Sequence, residues 1–167
     1  ALTNLKDKNN NFVLINTIIR RLKLPNKLLN KKPIEIKKEK SSTHGRIDIY
    51  IGWDNYKLLI ENKVLSAEGD EQCRKYLDDY NIQSSEDGKI IFLTLTGSNP
   101  KSLIGKIYND RFIALSYSEL LNILKNINID NHKSKYFIKD YIESVERILG
   151  IGMSNQICKV HENTQLL

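Results

Sequence analysis

The chain has 167 residues, 40% hydrophobic and 28% charged, the size and composition of one domain whose core needs no staples. It has no apolar run near the roughly 20 residues that span a bilayer, and its first ten residues lack the apolar segment of a signal peptide, so it reads as cytoplasmic with no membrane partner. The net charge of +6 is uneven: residues 1–46 carry 12 Lys/Arg against 3 Asp/Glu, and residues 47–167 carry the other 14 against 17.

A basic helix is predicted over 11–24, because Phe12, Ile15, Ile18/Ile19 and Leu22 recur near helical spacing and Pro25 closes it. A basic connector follows over 26–32, with room for one short turn. Residues 33–40 alternate, with Ile34 and Ile36 on one side, and read as a strand. After a turn at 41–45, residues 46–53 alternate again: Ile47, Ile49 and Ile51 face one way, Arg46, Asp48 and Tyr50 the other. Asp54-Asn55 makes a tight hairpin into a strand over 56–65, whose unbroken Leu58-Leu59-Ile60 fits a central strand covered on both sides.

Gly69 or Asp70 opens a helix reaching Tyr80, with Cys73, Tyr76, Leu77 and Tyr80 on a single packing face. Residues 83–88 form a polar loop, and 89–96 an apolar strand ended by Gly97-Ser98-Asn99-Pro100. Residues 101–110 read as loop, 111–116 as a last strand, and 117–127 as a helix capped by Ser118. A final amphipathic helix covers 133–149, stopped by Gly150, and the tail beyond has no periodicity. Neither an internal repeat nor a low-complexity linker is present. A hairpin followed by a strand–helix–strand crossover makes this an α/β chain: one domain over 1–167, its core at about 33–150, built on a mixed sheet of about five strands flanked by helices.

The basic first quarter suits a polyanion, whose phosphates attract clustered Lys and Arg, and equally suits a solvated basic face. Cys73 and Cys158 form no metal-ligand pattern, and Cys73 reads as a reduced, packed thiol. His44, His132 and His161 are too scattered for a zinc site.

The residues that carry chemistry lie on the two strands of the hairpin. Glu61 and Lys63 share one side of their strand, Asn62 faces the other, and the hairpin brings Asp48 beside Glu61. Two carboxylates suffice for a hard cation such as Mg²⁺, which keeps waters and takes further oxygens from substrate phosphate. The side-chain or main-chain carbonyl of Asn62 could complete the shell. Lys63 could orient or deprotonate the attacking water, or stabilise developing negative charge. An isolated Glu-x-Lys is usually a structural ion pair. Set among Leu58, Leu59, Ile60, Val64 and Leu65, however, such charges are costly without a function.

Gly45-Arg46-Ile47-Asp48-Ile49, then Leu59-Ile60-Glu61-Asn62-Lys63-Val64, then Gln72 and Tyr76 on the next helix, resemble the PD-(D/E)XK nuclease superfamily. More narrowly, they resemble its bacterial members with a GRIDI…IENK…Q…Y core, followed by a strand such as Ile91 to Gly97. The resemblance implies a restriction-endonuclease-like core and metal-assisted phosphodiester cleavage. Asp48 and Glu61 match the metal-binding acids, Lys63 the catalytic lysine, and Gln72 the polar residue that orients water or contacts backbone phosphate. Glu39 matches an acid that some members carry on the preceding strand, and reads equally as an exposed charge. Lys40, His44 and Arg46 are candidates for phosphate contact or for plain surface solvation. Tyr76 reads as core. One departure stands: many members place an acid on the first helix, and residues 13–32 contain none, which leaves a second metal without that ligand.

The expected function is a Mg²⁺- or Mn²⁺-dependent endonuclease, with DNA favoured over RNA as substrate and no evident base-reading helix. Two alternatives keep the fold. One is a non-catalytic nucleic-acid-binding module, against which the two carboxylates count because they repel phosphate. The other, compatible with either reading, is a structural or partner-binding domain of a larger defence or repair assembly; separately, the helices after Ser118 could pack against a second copy.

Overall fold

β3 (Tyr56–Lys63) occupies the middle of a five-stranded sheet of order β1-β2-β3-β4-β5. The computed structural model describes residues 12–150 except 65, 106, 130 and 131, so Cys158, His161 and both chain ends lie outside the described residues. β1 (Glu35–Ser42) and β2 (Gly45–Trp53) are antiparallel to their neighbours, whereas β4 (Gly88–Thr94) runs parallel to β3, and β5 (Phe112–Ser116) parallel to β4. The sheet is therefore mixed, as the hairpin and crossover require. Gly88 permits the close approach of β4: a Cβ there would come within 2.3 Å of the Lys57 carbonyl oxygen.

The two faces of β3 bury different cores. Leu58 and Ile60 join Ile51, Trp53, Ile91 and Leu115 under α1 (Val13–Arg21), α3 (Tyr117–Lys125) and α4 (His132–Ile148). Leu59 points the other way, into Tyr50, Ile90, Phe92 and the Cys73–Tyr76–Leu77 face of α2 (Gln72–Asp79). Covering both faces is why β3 is continuously apolar from Leu58 to Ile60. Cys73 is a fully buried free thiol in that second core.

Several sequence expectations change; β1 runs over Glu35–Ser42, so Ser41 and Ser42 are strand rather than turn and Ile34 lies outside it, exposed. Ile47 does not share a face with Ile49 and Ile51; it packs under α2 with Leu59 and Tyr76, while the other two pack on the opposite face. The alternation fails because the β1–β2 register passes from Lys38↔Ile49 to Lys40↔Ile47, skipping Glu39 and Asp48, and Glu39 is in the left-handed conformation at φ 50°. α2 begins at Gln72 rather than at Gly69 or Asp70. Its Cys73 amide is satisfied instead by the Glu68 carboxylate at 3.0 Å, which also accepts from the Ser102 amide at 3.1 Å. Ser102 belongs to a 3₁₀ turn (Lys101–Leu103) inside the stretch read as loop. Finally, α3 is capped by Ser116, not Ser118. The Ser116 hydroxyl accepts from the Glu119 amide and the Glu119 carboxylate accepts from the Ser116 amide, a reciprocal capping box.

Ser116→Ala is therefore expected to lower the unfolding free energy by about 1 kcal/mol, with Ser118→Ala within about 0.5 kcal/mol of wild type, both read by urea titration. An equal loss from Ser118→Ala would contradict the assigned cap.

Candidate active site

At the C-terminal end of β3, local geometry places Glu61 and Lys63 on the α2 side and Asn62 on the side of α3. Lys63 Nζ lies 2.9 Å from Glu61 Oε1, and the Glu61 and Lys63 side chains are 3% and 15% exposed. α2 supplies the third member: Gln72 Nε2 donates to the same Glu61 oxygen at 2.9 Å and to the Tyr76 hydroxyl at 2.9 Å. The amide cannot be reversed without loss, because its Oε1 accepts from the Gly69 amide at 3.1 Å. Tyr76 then donates to the Arg46 carbonyl at 2.9 Å, tying α2 to β2.

Asp48 reaches the group by a different route. The β2–β3 ladder stops at Ile49↔Ile60, and beyond it the Asp48 carboxylate takes the place of a main-chain acceptor, with Oδ2 2.7 Å from the Asn62 amide nitrogen. The break in strand pairing and the arrival of the second acid are thus one structural event. On the far side, the Asn62 side-chain oxygen accepts from the Tyr117 hydroxyl at 2.9 Å.

Burial pushes the Glu61 carboxyl above its ordinary range; the hydrogen bond from Lys63 opposes this, and the negative charge of Asp48 adds to it. The Lys63 ammonium is drawn down by burial, but its contact with Glu61 and the field of Asp48 outweigh that and hold it above its ordinary value. Burial likewise raises the Tyr76 and Tyr117 phenols, so both remain neutral hydrogen-bond donors. Glu61 Oε2 is buried and has no hydrogen-bond partner, although Oε1 has two. Such an oxygen costs roughly 1–3 kcal/mol, more when charged, unless something else satisfies it.

A cleft of about 600 Å³ opens onto the site, with Arg46, His44, Lys63, Gln72 and Lys75 in its wall. A second, of about 370 Å³, shares Lys63 and Ser66 with it and continues past Ser98 and Lys101. Arg46 is exposed, 3.5 Å from Glu39 at the rim; Glu39 makes its ion pair there and none with Lys63. His44 is held by the almost fully buried Asp79, through its amide at 2.9 Å and its ring Nδ1 at 2.6 Å. Lys40 lies elsewhere, 2.6 Å from Glu35 and 3.5 Å above the Tyr50 ring, which in turn stacks on Tyr80. The basic excess of the first quarter is not gathered at the cleft: of its Lys and Arg residues among those described, Arg46 alone lines it, and α1 covers the opposite face of the sheet.

The profile of the PD-(D/E)XK nuclease superfamily matches residues 3–143. The chain belongs to that superfamily. Its five-stranded mixed sheet flanked by helices is the restriction-endonuclease-like architecture expected of a member. No curated protein and no solved structure matches the chain. Among the described residues, no helix is long and apolar enough to cross a membrane, and no three His, Cys, Asp or Glu side chains form a cluster.

Three participants were not assigned roles from sequence. Tyr76 lies four residues after Gln72, a spacing that puts both on one helix face; the resemblance named the pair, but Tyr76 itself read as core. The contacts of Glu68 with Ser102 and of Tyr117 with Asn62 left no such signal, because they span 34 and 55 residues.

Asp79 sets a pH dependence. Burial alone would raise its carboxyl, but hydrogen bonds from Ser42 and from the His44 amide and ring outweigh it and hold the pKa below the ordinary value. The stabilisation is therefore present above the unfolded-state pKa of about 3.9 and is lost as pH falls through the lower folded value. Asp79→Asn should cost about 1.5 kcal/mol or more at pH 7, with the gap from wild type closing in acid. A gap that stays constant in urea titrations down to pH 2 would contradict this.

Proposed function

We propose that the chain is a divalent-metal-dependent nuclease that hydrolyses phosphodiester bonds, with DNA the favoured substrate and the whole chain acting as one nuclease domain. The observation carrying this is the unpartnered, buried Glu61 Oε2 beside Asp48 and Lys63. A buried carboxylate oxygen left bare among charged groups is what a cation site looks like before its ion is counted. Asp48, Glu61 and the main-chain carbonyl of Asn62 would hold Mg²⁺ or Mn²⁺. Two carboxylates fit a hard ion that completes its shell with waters and phosphate oxygens, so a three-acid cluster is not required. When bound, the ion lowers the pKa of a coordinated water and neutralises charge on the phosphate.

The chain's own residues do the remainder. Lys63, 2.9 Å from Glu61 Oε1, is placed to orient the attacking water or to stabilise developing negative charge. Gln72, fixed by Gly69 and Tyr76, keeps Glu61 Oε1 occupied, so that Oε2 is the oxygen left for the ion. Arg46, His44 and Lys75 on one side of Lys63, and Lys101 on the other, offer a path for successive phosphates. Glu39 has its charge partly satisfied by Arg46 and is not needed as a ligand.

Two measurements test this. Circular and linear DNA should be cut with Mg²⁺ or Mn²⁺ and not in EDTA, and Lys63→Ala should slow cutting by about 10²–10⁴-fold while the protein still binds DNA. DNA binding without cutting under either metal would favour the non-catalytic module. Glu61→Gln keeps the shape and an acceptor for Lys63 but removes the bare charge. In EDTA it should melt no lower than wild type. A saturating metal at 100 times its Kd should raise the wild-type Tm by roughly 5–10 °C and leave Glu61→Gln unmoved.

A further inference from the structure

We infer that Tyr117 is a positioning residue of this site, acting on Asp48 and the Asn62 carbonyl from the face of the sheet opposite α2; the inference rests on the reading of Asp48 and Glu61 as cation ligands. Tyr117 is the first residue of α3 and is 8% exposed. Its hydroxyl meets the Asn62 side-chain oxygen at 2.9 Å, and the Asn62 amide meets Asp48 at 2.7 Å. Asn62 is thus gripped at both ends: its side chain by α3, its main-chain N–H by the acid on β2. The grip falls where the β2–β3 ladder has ended, so no strand pairing from β2 holds the Asn62 peptide in place. Parallel pairing with β4 remains on the other edge, at Asn62↔Leu93.

Tyr117 is itself well anchored. The residue before it is fixed by the capping box with Glu119 and by pairing with Thr94 on β4. Gly97 approaches so closely that a Cβ there would lie 3.3 Å from Ser116. Tyr76 makes the counterpart contact on the other face, through Gln72 to Glu61. Glu61 is therefore steadied from α2 by Tyr76 through the Gln72 side chain, and Asp48 from α3 by Tyr117 through Asn62, whose side chain meets the tyrosine and whose main-chain N–H meets the acid. Ligands must be held within about 0.5 Å of productive geometry, and loss of an outer hydrogen bond typically weakens metal affinity 10–100-fold.

The test compares wild type, Tyr117→Phe, Asn62→Ala, the double variant and Tyr136→Phe, a control whose side chain is on the exposed surface of α4. Mn²⁺ affinity is read by calorimetry, stability by melting in EDTA, and cutting of circular DNA by kcat and KM. Tyr117→Phe should bind Mn²⁺ 10–100-fold more weakly and lower kcat with KM for DNA unchanged, and Tyr136→Phe should match wild type. Asn62→Ala should reproduce the weakened Mn²⁺ binding, and the double variant should add no further loss, because both act through one contact. Should Tyr117→Phe not fold, Asn62→Ala carries the same measurement. Wild-type Mn²⁺ affinity in Tyr117→Phe, or losses that simply add in the double variant, overturns the role of Tyr117 and leaves the site reading standing. Folded wild type that binds no Mn²⁺ and cuts no DNA overturns both.

Discussion

A carboxylate at the buried end of a central strand has to be compensated, and most of what is distinctive in this fold is arranged around that requirement. Glu61 follows Leu58-Leu59-Ile60 on a strand covered by core on both sides, so water cannot solvate it freely. Lys63 and Gln72 each satisfy the same oxygen of Glu61. Placing Gln72 there demands that α2 start late, after a turn in which Glu68 folds back onto the Cys73 amide. The remaining oxygen is left bare, and the molecule bears that cost beside Lys63, which lines both clefts.

The second acid arrives through a defect in regular structure. β1 and β2 skip a pair at Glu39 and Asp48, Glu39 takes a backbone conformation costing roughly 1–2 kcal/mol, and the Asp48 carboxylate replaces a main-chain acceptor for Asn62. A regular hairpin would spend the Asn62 amide on strand pairing and keep Ile47 in phase with Ile49. The site also lies where β3 parts from its antiparallel neighbour while keeping its parallel one. In mixed sheets such a place leaves the C-terminal strand ends open to a ligand.

Charge illustrates how composition and surface differ. The basic first quarter is dispersed by folding: Lys37 and Lys40 share Glu35, Lys27 pairs with Glu86, and α1 lies across the sheet from the cleft. The cations that do face the cleft are few and come from separate segments: Arg46 from β2, Lys63 from β3, Lys75 from α2 and Lys101 from a 3₁₀ turn. Their alignment is a property of topology, and no window of the sequence displays it.

Local periodicity determined a good deal on its own. Period two placed Glu61 and Lys63 together with Asn62 opposite, the continuous apolar run marked β3 as central, and helical spacing gave α2 its buried face of Cys73, Tyr76 and Leu77. These features follow from the backbone geometry of a few consecutive residues, so neighbouring side chains suffice to read them. Tertiary structure alone decided the broken alternation at Asp48, the capping of α2 by Glu68, the bare oxygen of Glu61 and the contact between Tyr117 and Asn62. Most of these depend on which distant segment supplies a hydrogen-bond partner, across 14 residues for Asp48, 34 for Glu68 with Ser102 and 55 for Tyr117. Strand register and the packing of α3 set those meetings, because a buried polar group takes whatever partner the fold brings within about 3 Å.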